Sequence, residues 1–338
     1  MKTIICGALC AILILLAVSL GACGVSEPSA LSFQAMDTLM TLKVYGGGSD
    51  ICDKLRDRVE ELDSLLSTTD ENSDIYRLDH EKSLTVSEDT ACLLRRSLAL
   101  CGQLGGSFDI TVYPAVQAWG FTTGSYRVPD DSELDALSKK IDCTCVAIDD
   151  SGNVSLPDGV MIDLGAVAKG YAADVCTELL SDSGAQAAVL NLGGTICLYG
   201  KKPDGSRFSV GVADPDHPAD YFGYLSCDTG VAATSGGYER WFEQDGRRYI
   251  HILDPKTARP VDNGVLSVTV VSESGTEADA LSTALFVMGT DKAAAYYRQA
   301  GGFEYIILTE DDTLYITEGI YDDFTLADGY DFTVSEIS

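Results

Sequence analysis

The sequence is short of histidine and of positive charge. Its 338 residues hold three histidines, His80, His217 and His251, scattered along the chain. That scarcity removes most zinc designs, which draw on clustered histidine or cysteine. Lysine and arginine number 23 against 52 aspartates and glutamates, for a formal net charge of −29. Such a balance argues against nucleic acid or anionic lipid headgroups as partners, because both need a basic surface. The charge itself reads as a soluble acidic exterior. Beyond the N-terminal stretch, no apolar run is long enough to span a bilayer. The sequence has no tandem repeat of about 20–50 residues and no proline- or serine-rich linker between residues 31 and 338.

What is present begins with a targeting segment over residues 1–22. Lys2 supplies the positive start, Ile4 to Leu20 is apolar, and Leu20-Gly21-Ala22 sets small residues before Cys23. The pattern resembles a bacterial lipobox, with cleavage before Cys23 and lipid carried on that cysteine. An uncleaved anchor is the alternative, since the apolar run nearly reaches spanning length. Either way the chain is expected at the cell membrane, on its extracytoplasmic face. Residues 23–30 read as a lipidated tether and 31–338 as one large domain.

Setting aside Cys6, Cys10 and Cys23, eight cysteines remain of 11. An even count outside the cytoplasm permits disulfides. Most of the eight, however, sit in apolar periodic segments and read as small core residues. Cys143-Thr144-Cys145 lacks zinc spacing.

Periodicity predicts a strand over 31–45 closed by Gly46-Gly47-Gly48, then a helix over 49–66. A polar loop over 67–79 and a helix over 88–104 follow. A glycine-rich turn then leads into a β-type run ending at Val112, and 114–124 reads as aromatic and irregular. A helix over 130–141 and a hairpin over 143–156 close the first half. The second half reads as a turn at Asp163 opening a helix that runs to about Leu180, strands at 187–192, 195–199, 207–213, 221–227, 231–234, 238–243, 248–253 and 265–272, helices at 276–288 and 292–300, and a last hairpin at 303–309 and 313–317. The tail from Gly319 shows no period. Many strands on short turns, with helices inserted, make an α+β chain of mixed and antiparallel sheets.

Four stretches carry chemistry. Asp163-Leu164-Gly165-Ala166-Val167-Ala168-Lys169-Gly170 sets an acid, small residues and a lysine at a helix entry, which suits a phosphate. An ordinary helix packed through small residues would show the same pattern. In Thr276-Glu277-Ala278-Asp279-Ala280-Leu281-Ser282-Thr283, Asp279 and Thr283 are four apart and share a helix face. A carboxylate with a hydroxyl is a hard-oxygen pair suited to Mg²⁺, though acids are also usual in first turns as capping residues. His251-Ile252-Leu253-Asp254-Pro255 ends a strand, where a histidine serves equally as a core residue or a functional one. Asn191-Leu192-Gly193-Gly194 and Thr234-Ser235-Gly236-Gly237 look like tight turns where backbone nears a ligand.

Taken in order, these pieces resemble the ApbE family of FAD:protein FMN transferases. Met36-Asp37-Thr38-Leu39-Met40-Thr41 and Gly106-Ser107-Phe108-Asp109-Ile110-Thr111 join the stretches above, and the set covers about residues 31–310. The resemblance implies a single α+β domain with an internal duplication and an FAD cleft between its lobes. It implies FAD contacts from Met36, Ser107, Phe108, Asp109, Asp163, Lys169 and Leu253. It implies Mg²⁺ held by Asp279, Thr283 and the carbonyl of Ala166, with Ser282 a further candidate. The implied reaction moves FMN from FAD to a Thr or Ser hydroxyl of an acceptor protein and releases AMP. The acceptor would be an extracytoplasmic subunit of an electron-transport complex or a flavin-linked reductase. His251 is the expected general base, because an unperturbed imidazole titrates near neutrality, and Asp163 is the alternative. Thr69 stands where the family often has an aromatic, and Tyr76 and Trp119 are candidates to replace it. The rival readings are an Mg²⁺-dependent FAD pyrophosphatase, a non-catalytic flavin-binding lipoprotein and an acidic lipoprotein with no flavin role.

Overall fold

A computed structural model describes residues 27–338. The lipobox and Cys23 lie outside the described residues. The first strand starts at Ser29, inside the stretch expected as tether.

One nine-stranded sheet organises the chain, and its spatial order is the chain order. The strands are Ser29–Ala35, Thr38–Gly46, Ala185–Asn191, Thr195–Gly200, Gly230–Gly236, Val265–Ser272, Glu304–Thr309, Thr313–Thr317 and Thr333–Ile337. Every neighbouring pair is antiparallel except the last, where Thr313–Thr317 runs parallel to Thr333–Ile337. The expected single strand over 31–45 is therefore a hairpin. Its two-residue loop is Met36-Asp37, with φ of 48° and 59°. Positive φ at both positions is what such a turn demands, and it usually selects Asn-Gly. A methionine there hides the turn from sequence reasoning.

Everything else is inserted between adjacent strands. Alternation along the strands separates two cores, one on each face of the sheet. Ala188, Leu190, Val268, Val270 and Ile307 face the helices, whereas Ala187, Leu198, Ile306 and Leu308 face a smaller sheet. That smaller sheet pairs Phe208–Ala213, Tyr221–Cys227 and Phe324–Leu326. On the helical side, Ile51–Leu66 buries Ile51, Leu55, Val59, Leu62 and Leu66, the three-to-four spacing of an amphipathic helix. A third cluster around Trp119, Phe121 and Phe242 packs beside the main body.

The two helices that matter most are Ala168–Ser183 and Gly275–Met288. The first is followed by the hairpin of Ala185–Asn191 and Thr195–Gly200. The second, with Thr290–Ala300 beyond it, is followed by that of Glu304–Thr309 and Thr313–Thr317. The helix expected after the Asp163 turn starts at Ala168: residues 165–167 form a turn, with the Asp163 amide on the Ile110 carbonyl and the Val167 amide on that of Leu164.

Two further helices lie where none was expected. Asp74–Glu81 occupies the supposed loop: Ser73 caps it by accepting from Tyr76 N–H, and Ile75 and Leu78 are buried. Tyr113–Trp119 occupies the aromatic stretch, with Pro114 in its first turn and Gly120 in left-handed conformation at its end. The run before it is a short 3₁₀ turn, Ile110–Val112, not a strand.

Candidate functional site

The site starts from a close crossing. A Cβ on Gly170 would stand 2.0 Å from the Gly275 carbonyl oxygen, and one on Gly275 would stand 2.3 Å from that of Gly170. Only glycine permits this approach. It lets each helix hand a carboxylate to the other. Asp174 accepts from the backbone N–H groups of Gly275 at 2.5 Å and Thr276 at 3.1 Å, and from Thr276 Oγ1 at 2.7 Å. In return Asp279 accepts from Gly170 N–H at 2.6 Å. Its second oxygen accepts from Thr195 Oγ1 at 2.8 Å. The start of the Gly275–Met288 helix is also closed by Ser274, which accepts from Glu277 N–H.

The crossing fixes Asp279, Ser282 and Thr283 on the wall of a cleft that also contains Ala166, Lys169 and Asp163. Ser282 Oγ donates to the Asp279 carbonyl and lies 2.8 Å from Ser235 Oγ, which is 3.2 Å from Thr283 Oγ1. Burial raises the Asp279 carboxyl, against the lowering effects of Lys169, Thr195 and Gly170. The Asp163 carboxyl is likewise raised by burial and lowered by the Gly165 amide, Arg240 and Lys169. A buried and a half-buried carboxyl, with Lys169 near both and Arg240 near Asp163, form a charged site able to take a polar ligand.

The opposite wall is Ser107, Phe108, Asp109, Phe121, Arg240, His251 and Leu253. His251 Nδ1 lies 3.2 Å from the Arg240 carbonyl oxygen, whose other partner is His251 N–H. A donating Nδ1 leaves Nε2 with its lone pair free. Burial, then Arg240, push the imidazole down to about 4, well below the near-neutral titration on which its expected role as base rested: the ring is neutral at physiological pH and can accept a proton, but as a weaker base. Asp109 has its carboxylate engaged: one oxygen accepts from Thr111 N–H and Oγ1, the other from Cys143 N–H at 2.9 Å. A larger open groove of about 710 Å³ lies alongside the cleft of about 160 Å³. Its lining lacks Asp163, Lys169, Asp279 and Thr283, which all line the smaller space, so the smaller space is the candidate site.

The ApbE family's sequence model matches residues 36–307. This chain belongs to the ApbE family. Among curated relatives, the FAD:protein FMN transferase of Salmonella typhimurium is 31% identical over 302 residues, covering 84% of this chain and 86% of that protein. Its counterpart in Vibrio cholerae is 34% identical over 254 residues, covering 70% and 73%. The crystal structure of the ApbE protein from Thermotoga maritima superposes with a TM-score of 0.81 at 34% identity, covering 87% of this chain and 98% of that one. The flavinyl transferase ApbE of Pseudomonas stutzeri, in its apo form, gives 0.75 at 27% identity over 84% and 92%. The α+β fold with its large mixed sheet is that of the ApbE structures.

In this ApbE-family chain the cleft gathers eleven of the residues singled out from sequence: Ser107, Phe108, Asp109, Asp163, Ala166, Lys169, His251, Leu253, Asp279, Ser282 and Thr283. Met36 is not in its lining. It sits in the positive-φ turn and packs against the main core. The aromatic substitutes also fall elsewhere. Tyr76 stacks on His80 at 4.0 Å, and Trp119 is buried with its indole N–H on the Ala258 carbonyl. Phe121 is the aromatic that reaches the cleft beside Phe108, and sequence reasoning passed over it inside a stretch read as irregular. Glu239 and Arg240 were also missed, although they lie just beyond Thr234-Ser235-Gly236-Gly237, whose first three residues end the strand Gly230–Gly236 rather than form the tight turn expected. Asp174 and Thr195 stand at the ends of two of the stretches picked out in the sequence, but neither was given a role there, because their roles depend on a helix crossing that only the fold creates.

Proposed function

We propose that this protein moves FMN from FAD to a Thr or Ser hydroxyl of an extracytoplasmic acceptor protein and releases AMP, with Mg²⁺ as the metal. Flavin transfer is the activity that its relatives' names carry. The observation that supports the metal is the donor set: a buried carboxylate, the Thr283 hydroxyl and Ala166 on one cleft wall. Hard oxygens of this kind fit Mg²⁺. The Asp279 carboxylate keeps lone pairs beyond the two it lends to Gly170 and Thr195. Asp279, Thr283 and the Ala166 carbonyl would hold the ion. Bound there, Mg²⁺ supplies charge neutralisation at the pyrophosphate oxygens.

The chain's own residues supply the rest. Lys169 and Arg240 bring positive charge to the dinucleotide phosphates, and Phe108 and Phe121 offer apolar surface to its rings. His251, held through Nδ1 on the Arg240 carbonyl, presents Nε2 to the acceptor hydroxyl and takes its proton. Asp163 is the alternative base. Lipid on Cys23 would hold the enzyme on the outer face of the membrane. Its acceptor would be a subunit of an electron-transport complex or a flavin-linked reductase.

Mass spectrometry of a candidate acceptor after incubation with enzyme, FAD and Mg²⁺ tests the proposal. The expected result is one covalent FMN on a Thr or Ser. Free FMN with unmodified acceptor would instead make the protein a pyrophosphatase, and intact FAD would make it a flavin-binding protein. His251→Ala is expected to slow transfer on the order of 10²-fold, and an undiminished rate would remove His251 from the mechanism.

A further inference from the structure

Cys101 Sγ, Cys143 Sγ and a carboxylate oxygen of Asp109 all lie within 4.8 Å of one another. The three come from separate parts of the chain. Cys101 is buried in the last turn of the Glu88–Gln103 helix, and Asp109 caps the 3₁₀ turn at Ile110–Val112. Cys143 is half-buried and opens the 3₁₀ turn Cys143–Cys145. Asp109 already ties two of these parts together by accepting from Cys143 N–H. We infer that Cys101 and Cys143 form a disulfide that fastens the Asp109 turn, and with it one wall of the cleft, to the Glu88–Gln103 helix.

The same three groups could be offered to a soft metal ion, but two features disfavour that. The Asp109 carboxylate is engaged by three donors, and metal binding would need two thiolates beside it. A disulfide places no charge there. Burial, reinforced by Asp109, raises both thiols, Cys143 to about 11. Oxidation by a disulfide partner is then slow but balanced. Half-exposed Cys143 loses its proton and attacks the oxidant R–S–S–R, expelling one RS⁻ and forming a mixed disulfide. Buried Cys101 then attacks the Cys143 sulfur and expels the second RS⁻. The two thiol protons and two electrons end on two R–SH molecules. An oxidising compartment supplies such partners.

The oxidising compartment and the link between this bond and flavin binding both rest on the proposed function, whereas the approach of the two thiols does not. The test takes the full-length protein, one sample treated with oxidised glutathione and one with dithiothreitol. Each is alkylated, digested and analysed by mass spectrometry. The expected result is a peptide pair joined through Cys101 and Cys143 in the first sample and alkylated thiols in the second. Reduction is expected to lower Tm by about 5 °C and to weaken FAD binding several-fold. The Tm shift should vanish in the Cys101→Ser, Cys143→Ser double variant. Should that variant fail to fold, the wild-type peptide map still decides. Free thiols at both positions after prolonged oxidation, or a bond from either to Cys145, overturns the inference. So does stoichiometric binding of added Zn²⁺ that blocks alkylation of the pair. A confirmed bond with no FAD binding in either state would leave the disulfide standing and remove the flavin reading.

Discussion

Asp174 and Asp279 are the same residue type in reciprocal positions, and they do different work. Each projects from one of the two crossing helices and accepts backbone amides from the other. Their remaining company separates them. Asp174 meets Arg96 at 2.7 Å and takes hydroxyl donors from Ser274 and Thr276. It is thus a helix cap neutralised by an arginine, and its role is packing. Asp279 has only Thr195 as a second partner and looks toward Lys169 and an open cleft. An acid whose charge is matched within the protein holds structure, and one whose charge is left partly unmatched is free to hold a ligand.

The crossing itself is the most sensitive point. Gly170→Ala would put a methyl group 2.0 Å from the Gly275 oxygen. Relief requires the helices to part, which breaks both reciprocal sets of bonds together. A loss of at least about 3 kcal/mol is expected. Thermal unfolding that leaves Tm within a degree or two of wild type would show that the approach is not needed.

The two acids then part company under mutation. Asp279→Asn keeps a side-chain oxygen but loses the charge that the proposed cation would need. Flavin transfer should fall on the order of 10³-fold, with Tm almost unchanged. Asp174→Asn should do the reverse. Stability falls by about 2 kcal/mol through the weakened cap and the unpaired Arg96, while activity measured well below Tm stays within a few-fold. Equal effects on both readouts in both variants would erase the distinction.

Much of this was legible in the sequence, for a physical reason. Motifs in which local spacing fixes the geometry, such as Asp279 and Thr283 on one helix face, read correctly. So did the strands Tyr221–Cys227 and Thr313–Thr317, where burial largely alternates, and Val265–Ser272, an apolar β-branched run buried on both faces. What escaped depends on distant partners. The Met36-Asp37 turn lacks the usual Asn-Gly. The Tyr113–Trp119 helix starts behind a glycine-rich turn that looks like a breaker. Asp174, Thr195 and Arg240 acquire roles only when a second segment arrives.

A third buried carboxyl sharpens the comparison by having neither an arginine nor a cleft. Asp79 accepts from Ile162 N–H at 2.7 Å, and its other oxygen has no partner among the described residues. Burial pushes its carboxyl up to about 7, against the Ile162 amide and Lys82. The folded value is raised, so the sign is opposite to that of a salt-bridged acid. Below about pH 4 both states are protonated and nothing is lost. As pH rises from about 4 to 7 the unfolded chain ionises before the native one, and stability falls. Above 7 the loss is complete. Asp79→Asn removes the ionisation, so the variant should be more stable than wild type by about 2 kcal/mol at pH 8 and no more stable at pH 4. Urea titrations at the two pH values measure this. A gain independent of pH would mean that packing, not charge, governs the site, and a loss at both would mean that the lone oxygen has a partner worth keeping.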